Sequence, residues 1–157
     1  MAKAHDNALV QDLILACAGD GVSSETAQKA IRALCRYYGG QMVYIPGRKE
    51  NGVSAENLRG VLADAVSDSD AEKILGKIMK FYGAMQLYIP FERSAFRKTI
   101  ALEVYSRYGN DAASMNDLAR HYGVSFVSAY RLWKLGQREK LQSTMPYLPF
   151  LELAEKQ

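Results

Sequence analysis

Apolar residues recur at three- and four-residue intervals through most of the chain, and this helical rhythm is twice interrupted by a short run of β formers. Leu9, Val10, Leu13, Ile14 and Cys17 line a first predicted helix, and Ala27, Ala30, Ile31, Leu34, Cys35 and Tyr38 line a second. Gly39 stands where a left-handed residue would end that second helix. The Val-Tyr-Ile run that follows is too short for a helix and is closed by Pro46, which predicts a strand over 42–45. The same order then returns. Leu58, Val61, Leu62, Ala65 and Val66 mark a third helix with Ser54 as its expected cap. Ser69 and Glu72 have capping-box spacing for a fourth, which carries Ile74, Leu75, Ile78, Met79 and Tyr82, stops at Gly83 and leads into a strand over 85–89 before Pro90.

The recurrence extends to residue identity. TAQKAIRALCRYYGGQMVYIP (26–46) lies over DAEKILGKIMKFYGAMQLYIP (70–90) at an offset of 44, with seven of 21 positions identical. Residues 1–90 therefore read as two helix-helix-strand units, joined by the charged loop GRKENG at 47–52. A lone short strand leaves its amides unsatisfied. The two strands are expected to pair antiparallel, either within one chain as a pseudo-twofold or between two chains. Tyr44 and Tyr88 are expected to pack on the strand face.

After Pro90 the chain changes character. Ser94 is placed to cap a helix faced by Phe96, Ile100, Val104 and Tyr108 and ended by Gly109. Ser114, with Asp117 three residues on, opens a second helix, and Ser125 opens a third that runs through Trp133. The expected fold is mostly α. A helical N-terminal region with two short Tyr-Ile-Pro strands (1–90) precedes a trihelical helix-turn-helix domain (91–140) and a tail (141–157) bearing Pro146 and Pro149.

Within that second region, DLARHYGVSFVSAYRLWK (117–134) meets the steric demands of two helices crossing through a tight turn. Ala119 is small where the helices touch, Gly123 tolerates positive φ, Val124 is the hydrophobe after the turn and Ser125 is the cap. Leu118, Ala129 and Leu132 point inward. Ser125, Phe126, Val127, Tyr130, Arg131 and Lys134 then lie at the N-terminal end or on the outer side of the last helix, where side chains reach bases or phosphates in a major groove. Arg97 and Lys98, on the first helix of the unit, are candidate backbone contacts. Trp133 is expected to pack on that first helix, and His121 to face solvent.

Charge sharpens this reading. The net charge is only +3, yet residues 91–140 carry 9 Lys+Arg against 5 Asp+Glu, while residues 1–90 are balanced at 10 against 10. A local basic surplus is the electrostatic footprint of phosphate binding, and double-stranded DNA is the implied partner. The alternative is a protein-interaction module that keeps the helix-turn-helix form without specific DNA binding.

Composition excludes other classes. With 48% hydrophobic and 24% charged residues the chain is an ordinary globular sequence. Its longest aliphatic run, residues 13–18, is far below the ~18 residues needed to cross a bilayer, so no membrane association and a cytoplasmic location are expected. Cys17 and Cys35 fall on apolar stripes and are expected to be reduced, buried and dispensable for activity. Neither His5 nor His121 is near a cysteine, so no metal is expected. No cofactor motif appears, nor any phosphate-binding loop, zinc-protease or nucleophile-elbow pattern. A tyrosine recombinase is disfavoured because Arg120-His121 is followed by Val124 where a second arginine would be needed. No enzyme activity is expected.

The run from Tyr82 to Lys134 resembles the Mor/C family of phage Mu middle and late transcription activators, through Gly83, Tyr88, Ile89, Pro90, Arg97, Leu118, Ala119, Gly123, Ser125 and Tyr130. The resemblance covers roughly 54–140. It implies a dimer formed through the helical region and its strand, a helix-turn-helix that reads DNA beside a promoter, and RNA polymerase as a further partner. Two features depart from the family pattern: Gly83-Ala84 replaces the usual glycine pair, which Gly39-Gly40 keeps, and residues 1–46 add a repeat to the usual layout.

Overall fold

The computed structural model describes residues 7–48, 52–109 and 115–144. His5, Ser114, loop residues 49–51 and the tail beyond Thr144, with Pro146 and Pro149, lie outside the described residues. Eight helices and two strands are present among those described, in the order α1 (Ala8–Cys17), α2 (Ser24–Tyr38), β1 (Gln41–Ile45), α3 (Val53–Ala63), α4 (Asp68–Tyr82), β2 (Met85–Ile89), α5 (Glu92–Ala95), α6 (Arg97–Tyr108), α7 (Met115–Tyr122) and α8 (Phe126–Thr144). The protein is mostly α, as its pattern predicts. The chain divides into two compact units that meet in sequence between Phe96 and Arg97.

In the first unit, α2 and α4 are built alike. Ser23 Oγ accepts from the Thr26 amide at 3.1 Å, and Ser67 Oγ accepts from the Asp70 amide at 3.2 Å. Acidic residues in each first turn, Glu25 on α2 and Asp68 and Asp70 on α4, add a favourable interaction with the helix dipole. Each helix buries one stripe: Ala27, Ala30, Ile31, Leu34 and Cys35 on α2, and Ala71, Ile74, Leu75 and Ile78 on α4. Val10, Leu13 and Cys17 of α1 and Ala55, Leu58 and Leu62 of α3 complete the core. Each large aliphatic side chain so buried contributes on the order of 1.5–3 kcal/mol.

Three expected caps are corrected. Ser67, not Ser69, caps α4; Gly52 precedes α3 with no side-chain cap, leaving Ser54 inside the helix; and Ser94 lies within the short α5, while α6 begins only after Phe96 breaks the helical path. A cap needs extended backbone at its own residue, and at each site that conformation falls elsewhere than the serine singled out.

The strands pair with each other inside one chain. β1 and β2 run antiparallel with Val43 opposite Leu87, Met42 opposite Tyr88 and Tyr44 opposite Gln86. Val43 and Leu87 are themselves related by the 44-residue offset, so the local twofold passes through that pair. Accordingly, the Gly40 amide donates to the Ile89 carbonyl at 2.7 Å and the Ala84 amide to the Ile45 carbonyl at 2.8 Å. Ile45, Leu87 and Ile89 face the helices, whereas Tyr44 and Tyr88 sit on the outer, exposed face beside Met42 and Gln86.

The turns into the strands differ from expectation by one residue. Gly39 and Gly83 have negative φ (−53° and −56°), and the left-handed positions are Gly40 at 82° and Ala84 at 64°. Both cysteines are free and buried. Burial, partly offset by Lys77, pushes the Cys17 thiol up to about 11, and burial with help from Glu92 pushes Cys35 up to about 12.

Candidate nucleic-acid interface

The second unit is held by Ile100, Ala101 and Val104 of α6, Met115 and Leu118 of α7, and Ala129 and Leu132 of α8, all buried. Between α7 and α8 the turn forms as its residues require. Gly123 takes φ 62°, Val124 donates its amide to the Ala119 carbonyl at 3.0 Å, and Ser125 caps α8 by accepting from the Ser128 amide at 3.2 Å. The Ala129 amide reaches the Ser125 carbonyl at 2.9 Å, so the helical ladder starts at the cap.

With Ala129, Leu132 and Gly136 buried, the first turns of α8 present their other side outward. Phe126, Val127 and Tyr130 are 52%, 56% and 43% exposed, and Arg131 and Lys134 are exposed beside them. Lys134 Nζ lies 5.9 Å from the centroid of the Tyr130 ring, within cation–π range. Ser125, Phe126, Val127, Tyr130, Arg131 and Lys134 thus fall on the exposed side of one helix or at its N-terminal cap. Trp133 behaves as a packing residue: its ring lies 6.1 Å from that of Tyr105 on α6, and its indole N–H donates to the Gly109 carbonyl. His121 is exposed, with Arg107 Nη1 3.4 Å from its Nε2.

The two α6 candidates differ from each other. Arg97 is half-buried, while Lys98 pairs with Glu139 of α8 at 3.6 Å, two turns beyond the Tyr130 cluster. Sequence reasoning missed this pairing because it ended the last helix near Trp133, whereas α8 runs to Thr144. It also missed Gly136. A Cβ there would meet the Ala101 carbonyl oxygen and come within 2.7 Å of Tyr105 Cβ, so this glycine is where α6 and α8 touch backbone to backbone. Among the described residues no His/Cys/Asp/Glu group could hold a metal ion, and no helix is long and apolar enough to cross a membrane.

The second unit thus presents an exposed aromatic and basic helix face that follows a glycine turn. The Mor transcription activator family matches residues 50–148, well over half of the chain, and the protein belongs to that family. It is therefore a transcription regulator. Nothing among curated proteins or solved structures matches the chain.

Proposed function

We propose that the protein is a sequence-specific DNA-binding activator of phage or prophage genes, reading the major groove with the first three turns of α8. The observation that carries this reading is the exposed run of Phe126, Val127, Tyr130, Arg131 and Lys134 on a helix whose opposite face is buried. Each side chain has a role that suits a base edge or a phosphate. Arg131 donates two hydrogen bonds to a guanine edge, Phe126 and Val127 meet thymine methyl groups, and Lys134 and Ser125 serve phosphates. Arg97 is the stronger candidate for backbone contact from α6, because Lys98 already has Glu139. Recruitment of RNA polymerase follows from family membership and is part of the proposal.

Binding titrations on one preferred and one scrambled duplex, each over a salt series, test it. Arg131→Ala should weaken the preferred site by about 1–3 kcal/mol and flatten preference at one base position. Arg97→Ala should weaken both duplexes alike and reduce the salt slope by about 1. If Arg131→Ala leaves the affinity and the ratio of the two duplexes unchanged, α8 does not read bases. The exposed Phe126 and Val127 would then favour a protein-interaction module.

A further inference from the structure

The strand register sets Val43 opposite Leu87, 44 residues later, and carrying that offset two residues past the end of the aligned repeat exposes one exchange of charge. On one side, Glu92 is gripped by α2: Arg32 Nε donates to it at 2.7 Å and Arg36 Nη2 at 3.1 Å. On the other side, the position equivalent to Glu92 is Arg48, the position equivalent to Arg36 is Lys80, and the position equivalent to Arg32 is Gly76. The carboxylate has become a cation, and one of its two arginine partners has become a glycine.

That side holds a cavity of about 440 Å³ lined by Arg48, Lys73, Gly76, Lys77, Lys80 and Phe81, with Asp20 and Glu72 as its acids. A Cβ at Gly76 would meet nothing within 4 Å, so the space beside this glycine is open. Both acids are already engaged: Asp20 pairs with Lys77 at 3.2 Å, and Glu72 pairs with Arg59 of α3. Among the described residues, no carboxylate pairs with Arg48, Lys73 or Lys80. Four cations against two acids give the lining a formal net charge of +2.

The geometry points to a binding site for a phosphate group at this cavity, in the place where the opposite side of the unit holds its own carboxylate. Arginine with lysine is the donor set that phosphate oxygens use, and a phosphate offers several such oxygens to a lining whose cations outnumber its acids. The phosphate belongs either to a nucleic-acid backbone or to a small phosphorylated compound, and the two sources separate by experiment.

The full chain is titrated with inorganic phosphate at low ionic strength, with chloride at equal ionic strength as reference, while backbone amide NMR shifts are followed. Saturable shifts confined to residues 19–21 and 73–81 are expected. Arg48→Glu, which restores a carboxylate at the equivalent position, should weaken phosphate binding at least tenfold while the protein still melts cooperatively. Lys80→Gln, a milder change on an exposed helix face, should weaken it several-fold. In the second arm, a scrambled duplex is titrated over a salt series. A salt slope about 1 smaller for Arg48→Glu assigns the phosphate to nucleic acid. An unchanged slope alongside saturable phosphate binding assigns it to a small compound. Unsaturable phosphate shifts together with an unchanged slope overturn the site, as does wild-type phosphate affinity in Arg48→Glu. Arg131→Ala should leave the phosphate titration untouched, so failure of this site and failure of base reading by α8 are told apart.

Discussion

Ala84 adopts φ 64° where its counterpart Gly40 adopts 82°, and the two residues differ in what that conformation costs. An L-residue in the left-handed region is strained by about 1–2 kcal/mol, a penalty glycine escapes. Replacing Ala84 by glycine relieves that strain but loosens the unfolded chain by about 0.4–1 kcal/mol, so Ala84→Gly should stabilise by roughly 0.5–1 kcal/mol in urea unfolding. The reverse change at Gly40 should destabilise, because a Cβ there would lie 2.6 Å from the Phe91 ring as well as incur the strain. Glu92 sets a second residue-scale expectation. Burial would raise its carboxyl, but the hydrogen bonds and charges of Arg36 and Arg32 outweigh burial and hold it below the ordinary 4.5. A carboxylate held low when folded adds stability that is fully present above its unfolded value and is lost as pH falls through the folded one. Thermal melts from pH 6 downward should therefore show a stability loss setting in below about 4.5, and Glu92→Gln should flatten that part of the profile.

At the scale of elements, both strands and every described helix but the four-residue α5 were legible because each carries its own periodicity, and the antiparallel pairing followed from two strands with the same need. The caps were less legible. The stretch from Ser67 to Asp70 offers serine and aspartate alternately, and only the backbone path decides that Ser67 is the extended one. The end of α8 was not legible either: the spacing was followed only through Trp133, whereas in the structure Gly136 is a crossing point and α8 continues for two turns beyond it. The outward placement of Phe126, Val127, Tyr130, Arg131 and Lys134 was legible, since it depends on local helical spacing and a single turn. The Lys98–Glu139 pair was not, since it joins residues 41 apart in sequence. Gly136→Ala tests the crossing. Alanine would gain up to about 1 kcal/mol of helix propensity, but its Cβ meets the Ala101 backbone, which cannot yield as a flexible side chain could. The net result should be a loss of about 1–3 kcal/mol, read from denaturant unfolding of the second unit.

At the scale of the whole molecule, the ribbon closes within one chain, so the strand amides facing the local twofold find their partners without a second copy. Among the described residues there is also a single α7–turn–α8 element. Light scattering should therefore give a mass near 17.5 kDa, and occupancy of a single DNA site should rise with the first power of protein concentration. A mass about twice that, or a steeper rise, would mean that another surface joins two chains.

A homodimer built on the same twofold would carry every substitution twice, once on each side of its axis. Here the two sides are separate positions in one sequence, and each can change alone. Arg48 faces one helix while Glu92 faces the other, and Ala84 sits opposite a glycine that was kept. The closed ribbon thus frees the protein from symmetry: one flank can keep a carboxylate held by two arginines while the other is left open for a guest.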